Sequence, residues 1–118
     1  MVFIKIINRT CGKIISDNCS LADSFLSRAI GLIFSNDKKK TIFFVFDRIG
    51  KNPIHSIFVV YPFFAIYLDK NMKVTEIFKV EPYRWYIGNR KPAKYLLESF
   101  DMNIKVNVGD VLECLDGK

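Results

Sequence analysis

A chain of 118 residues that is 50% apolar and 25% charged has room for one hydrophobic core and no second one, so a single domain over residues 1–118 is expected. Its net charge of +6 admits nucleic acid or an acidic surface as partner, but Lys outnumbers Arg 13 to 5 and only Lys38, Lys39 and Lys40 form a run. That run reads as a solvated loop tip, and a composition rich in Lys, Ile, Asn, Phe and Tyr also fits a genome rich in A and T.

Cys11, Cys19 and Cys114 are odd in number and lack metal-knuckle spacing, which excludes a disulfide framework and leaves them as small hydrophobes in a reducing compartment. With His55 as the single histidine, no metal or cofactor is expected. The N-terminus lacks a secretory pattern, and the longest apolar run, Ile57 to Leu68, is interrupted by Pro62 and falls short of the ~20 residues a membrane helix needs. A soluble, cytoplasmic protein is therefore expected.

In chain order, Val2 to Ile7 and Lys13 to Ser16 have strand composition around turn chemistry at Asn8 to Gly12, predicting a hairpin. Ser20 as a cap, Asp23 three residues on, and Leu21, Phe25 and Ala29 at helical spacing predict a helix over Leu21 to Ala29, stopped by Gly31. Thr41 to Asp47, TIFFVFD, reads as a strand buried on both faces, and Arg48 to Asn52 as a turn. Ile54 to Leu68 is strand-rich and broken or bent at Pro62. After a turn at Asp69 to Met72, Lys73 to Val80 alternates with neither face wholly apolar, which predicts a peripheral strand. Glu81 to Pro92 is irregular and aromatic; Lys94 to Leu97 and Val111 to Leu115 are strands, with a turn or single helical turn at Asp101 to Lys105. The sum is an α+β class: about seven mostly antiparallel strands in an open barrel-like or sandwich sheet, with one helix near the N-terminus.

No phosphate loop, nucleophile elbow, HExxH or CxxC is present. What remains are single residues. His55, at the head of an apolar strand, reads first as a satisfied structural histidine, and could act as acid or base if a carboxylate such as Glu98 or Asp23 orients it. Arg28 offers a bidentate fork for a carboxylate or phosphate, or an ion pair tying helix to strand; Glu98 is a possible partner of either Arg28 or His55. Asp23 reads first as a first-turn acid that favours the helix dipole. Tyr83, Arg84, Trp85 and Tyr86 put rings beside a guanidinium, a surface that can stack on bases, sugars or peptide, or fold back to seal the core. Asp110, after Gly109, reads as a turn-forming side chain.

Several stretches together, LADSFLSRAIGLIF, TIFFVF, IHSIFVVYPFFAIYLDKNMKVTEI, AKYLLE and VGDVLE, are similar in order and spacing to domain-of-unknown-function family 192, also called uncharacterised protein family 0127. Ala22, Arg28, Gly31 and Leu32 carry its most specific pattern, and Ile54 with His55 resembles its archaeal branch. The resemblance implies a β-rich barrel-like fold and no agreed activity. Two departures weaken a catalytic reading: Phe63 and Phe64 follow Pro62 where the family usually has an aliphatic residue and Asp, so that acid is lost or moved to Asp69, and Ser99, Phe100 and Asp101 follow Glu98 where Pro and Gly are usual.

Three functions follow as expectations. The favoured one is a non-catalytic binding or accessory module that holds a small polar ligand or a protein partner through Arg28, His55 and the Tyr83 to Tyr86 stretch. The alternatives are a hydrolase-like enzyme using His55 and Glu98, and a nucleic-acid binder acting through its basic surface.

Overall fold

A computed structural model describes residues 3–22, 41–53, 61–82 and 88–116. These form seven strands and, among the described residues, no helix: β1 (Phe3–Asn8), β2 (Lys13–Ala22), β3 (Thr41–Gly50), β4 (Phe63–Leu68), β5 (Val74–Val80), β6 (Ala93–Ser99) and β7 (Leu112–Asp116). The expected α+β class is thereby corrected to all-β. Leu21 and Ala22, read as the start of a helix, are instead the end of β2, paired in parallel with Phe43 and Phe44 of β3. Backbone partners on the neighbouring strand overrode the local capping signal at Ser20, which is itself buried opposite Ile42. Residues 23–29 of the expected helix lie outside the described residues.

The sheet order is β5-β4-β6-β3-β2-β1-β7, with every pairing antiparallel except β2 with β3. The sheet curls on itself. An isolated bridge joins Lys73 to Val111, and hydrogen bonds from Leu112 N to Met72 O (2.9 Å) and from Val74 N to Asp110 O (2.8 Å) tie the two edges at one end. The result is a half-barrel closed over part of its length, which limits the exposed edge that an open sheet would offer. β5 is an edge strand, as its mixed faces suggest. The irregularity between Tyr67 and Leu68 changes its register, so Val74 packs inside the curl while Phe78 and Val80, of the same parity, pack outside.

Two apolar layers result. The inner one draws on all seven strands, including Ile4, Ile6, Cys19, Phe43, Ile66, Val74, Leu97 and Leu112. Among the described residues the outer one draws on β3, β4, β5 and β6 and on Phe100 just beyond β6, and contains Ile42, Phe44, Phe46, Phe63, Tyr67, Val80 and Leu96 besides. The central strands are thus buried on both faces, which is why TIFFVF runs apolar without alternation.

Two polar clasps hold the ends. At the β1–β2 turn, buried Asn8 donates from Nδ2 to Asp110 Oδ2 (2.8 Å) and Lys105 O (3.0 Å), and Asp110 Oδ2 also accepts from Asn107 N (2.8 Å). The turn role expected for Asp110 is present, with a long-range partner added. At the β3–β6 end, buried Asn89 accepts from Asn52 N (2.8 Å) and donates to Gly50 O (2.9 Å) and Lys91 O (2.7 Å). Asn52 O in turn accepts from the Tyr67 hydroxyl (2.8 Å).

Candidate functional site

Glu98 is the one sequence-derived site residue among those described. β6 runs between β3 and β4, and the pleat places Glu98 opposite Ile42 on one side and Ala65 on the other. Those two neighbours, with Leu96 two positions along the same face, belong to the outer layer, so the carboxyl is seated in apolar surroundings and the residue is only 6% exposed. Desolvation pushes its pKa up to about 8, from an ordinary value of 4.5. None of the described residues donates a hydrogen bond to it.

Arg28, His55, Tyr83, Arg84, Trp85 and Tyr86, together with Asp23, lie outside the described residues, and the frame shows only where the chain enters and leaves their segments. Residues 23–40 leave from Ala22, level with Phe44, and return at Thr41, whose cross-strand partner Ser99 adjoins Glu98. Residues 54–60 leave just after Asn52, at the Ala93 end of β6. They return at Tyr61, whose ring meets Phe100 edge-on at 5.8 Å, at the Glu98 end. Residues 83–87 leave after Val80, which pairs with Phe63, and return at Asn89 beside Asn52. Residues 54–60 and 83–87 therefore begin and end beside the strands that build the outer layer, while residues 23–40 begin on β2 and end on β3.

The Asn52–Asn89 clasp is a feature that sequence reasoning missed. Both residues read as turn formers, and only their hydrogen bonds across 37 positions show that the segments carrying His55 and Trp85 share a root. Asp69, offered as the relocated family acid, does local work: its Oδ1 accepts from Asn71 N (2.8 Å) and Lys73 N (3.0 Å) in the β4–β5 turn. The cysteine reading holds only for Cys19, which is buried; Cys11 and Cys114 are exposed, and all three thiols are free. Among the described residues no group of three His, Cys, Asp or Glu side chains could hold a metal ion, and no helix is long and apolar enough to cross a membrane.

Comparison with known proteins bears on the whole chain. The family model for DUF192, described as uncharacterized ACR, matches residues 6–114. A UPF0127 protein of Pyrococcus furiosus is 33% identical over 112 residues, covering 91% of this chain and 95% of the relative. A UPF0127 protein of Pyrococcus horikoshii is 32% identical over 98 residues, covering 79% and 84%. Among solved structures, a candidate transcription regulator from Sinorhizobium meliloti superposes with a TM-score of 0.80 at 18% identity, covering 97% of this chain and 96% of that one. A protein of unknown function from Novosphingobium aromaticivorans gives 0.77 at 18% identity, covering 94% and 83%. At that identity the two structures speak for the fold alone.

Proposed function

We propose, for this chain, which belongs to the DUF192 family of uncharacterised proteins, a non-catalytic binding role in which a small polar ligand is held over the outer layer beside Glu98. The observation that carries this reading is the buried carboxyl itself. A carboxylic acid set among Ile42, Ala65 and Leu96 and held near pKa 8 stays largely protonated at neutral pH, so it can donate a hydrogen bond. Arg28 and His55 supply the complementary cationic and ring donors, and Tyr83, Arg84, Trp85 and Tyr86 supply the stacking surface. Support for their convergence comes from the Asn52–Asn89 clasp at the root of the segments carrying His55 and Trp85, and from the return of residues 23–40 at Thr41, whose cross-strand partner Ser99 adjoins Glu98. A reducing, cytoplasmic setting accompanies the reading, supported by the three free thiols.

Trp85 is the single tryptophan, so its fluorescence reports on this region alone. In a screen of polar metabolites, at least one compound is expected to change that emission saturably in the unaltered protein. Arg28→Ala and Glu98→Gln are expected to weaken the response about tenfold or more, the scale of a lost charge-assisted hydrogen bond. A response that both variants leave unchanged contradicts the reading.

A second reading rests on the same carboxyl: an acid with a pKa near neutrality is what a hydrolase-like general acid or base requires, with His55 as its partner. Turnover of a generic ester that is abolished by His55→Ala with binding retained would favour it over the first.

A further inference from the structure

The other side of the same strands carries a second concavity. Beyond Leu112 the free edge of β7 leaves the half-barrel open, and a cleft of about 490 Å³ runs into the inner layer there. One wall is a stacked aromatic pair, Phe43 and Tyr95, with ring centroids 5.4 Å apart and planes inclined by 26°. The opposite wall is aliphatic, from Ile4 and Leu112, and Met72 lines the cleft from the β4–β5 turn. Met72 has a φ of 65°, a left-handed conformation that costs a residue with a Cβ about 1 kcal/mol or more. That conformation is held by the hydrogen bonds from Met72 N to Asp69 O (3.1 Å) and from Leu112 N to Met72 O (2.9 Å). A left-handed residue closing a bulged hairpin loop is ordinary turn geometry, and here it brings a pliable thioether to the cavity wall.

The rim is polar and carries both signs. Arg9 is exposed there and makes no ion pair with any described carboxylate, and Glu113 lies on β7. Cys114 also lines the cleft; it is exposed overall, yet desolvation and the Glu113 carboxylate push its thiol up to about 11, so it serves as a neutral wall rather than a nucleophile.

We infer that this cleft is a binding site for a small aromatic monocarboxylate, its ring against Phe43 and Tyr95 and its carboxylate on the Arg9 guanidinium. The volume lies within the usual range for small-ligand pockets, and the wall is apolar with few polar groups at the mouth. The flat stacked pair favours a planar ring over a branched chain, and Arg offers the planar fork that suits a carboxylate. Glu113 at the rim disfavours a second negative charge, which separates a monoanion from a phosphate or dicarboxylate. Phe43 and Val45 face this cleft while Ile42 and Phe44 face the Glu98 layer, so the two sites stand or fall separately.

The test uses protein labelled at its Ile, Leu, Val and Met methyl groups, titrated with 1-naphthoate and with its neutral analogue 1-naphthamide while methyl NMR spectra are recorded. Saturable shifts are expected at Met72, Leu112, Ile4 and Val45, with 1-naphthoate bound about tenfold or more tightly than the amide, and Arg9→Gln is expected to abolish that preference while leaving amide binding unchanged. Because Arg9 is exposed, the variant is expected to fold as the parent does. Shifts scattered outside the cleft, or equal affinity for the two probes in the unaltered protein, would overturn the inference.

Discussion

The inner and outer faces of the β3–β6–β4 sheet are both apolar, but they are assembled differently. The inner layer is contributed by all seven strands curling around it, and the polar side chains buried on that face of β3 and β6, Thr41 and Ser99, are uncharged. The outer layer is contributed by four strands and Phe100, and it includes among its side chains a carboxyl that burial penalises. A fold held only by its barrel interior would have no need of a second buried face, still less of an acid within it. The desolvated acid distinguishes the outer layer, and residues 54–60 and 83–87 begin and end beside the strands that build it.

If the outer layer is a true core, the largest effect should come from Tyr67→Ala. Tyr67 is fully buried, stacks on Phe46 at 6.4 Å, meets Phe78 edge-on at 6.1 Å and donates to Asn52 O. A loss of about 3–5 kcal/mol is expected by urea unfolding, comparable to the most costly core truncations. A loss under about 1 kcal/mol would reduce this layer to surface.

The sequence made most of this frame readable, and its silences have physical causes. Apolar runs and turn chemistry located each of the seven strands, because both signals are local, although β3 runs on through Arg48 and Ile49 to Gly50 where a turn is expected from Arg48. The end of β2 was not legible: Ser20, Leu21 and Ala22 combine a capping residue with helix formers, and only their pairing with Ile42, Phe43 and Phe44 makes them strand. Glu98 could be named as a candidate, but its environment depends on Ile42 and Ala65, 56 and 33 positions away in the sequence, so no local signal announced a desolvated acid. The clasps at Asn8 with Asp110 and at Asn52 with Asn89 were hidden for the same reason, being polar residues that look like ordinary turn formers.

Asn89→Ala sharpens the comparison at the shared root of the segments carrying His55 and Trp85. It removes the acceptor for Asn52 N and the donor to Gly50 O and Lys91 O, all near a residue that is 3% exposed. A destabilisation of about 2 kcal/mol is expected, together with a red shift of Trp85 emission. The same loss of stability with unchanged emission would uncouple the clasp from the site.

Glu98→Gln acts through pH. Because burial raises the folded-state pKa, the protonated form is favoured by folding, so stability is fully present below about pH 4.5 and falls as pH rises toward about 8. The slope in that window is expected to approach about 1.4 kcal/mol per pH unit, and the glutamine variant should remove it. Urea midpoints measured at pH 5, 6, 7 and 8 check this, and midpoints that stay level over the range would mean the carboxylate is already ionised and paired in the folded state. At the small end, Ile14→Lys, at a position 53% exposed on β2, should change stability by no more than about 0.5 kcal/mol.

The most direct test is the titration of Glu98 itself, followed by carboxyl carbon NMR in protein labelled at its glutamates and assigned with Glu98→Gln. A midpoint near 8 is the result expected of an acid desolvated in the outer layer and available to donate. A midpoint at or below the ordinary 4.5 would show the carboxylate already committed to a cation, and would contradict the account of this face as a site waiting for a ligand.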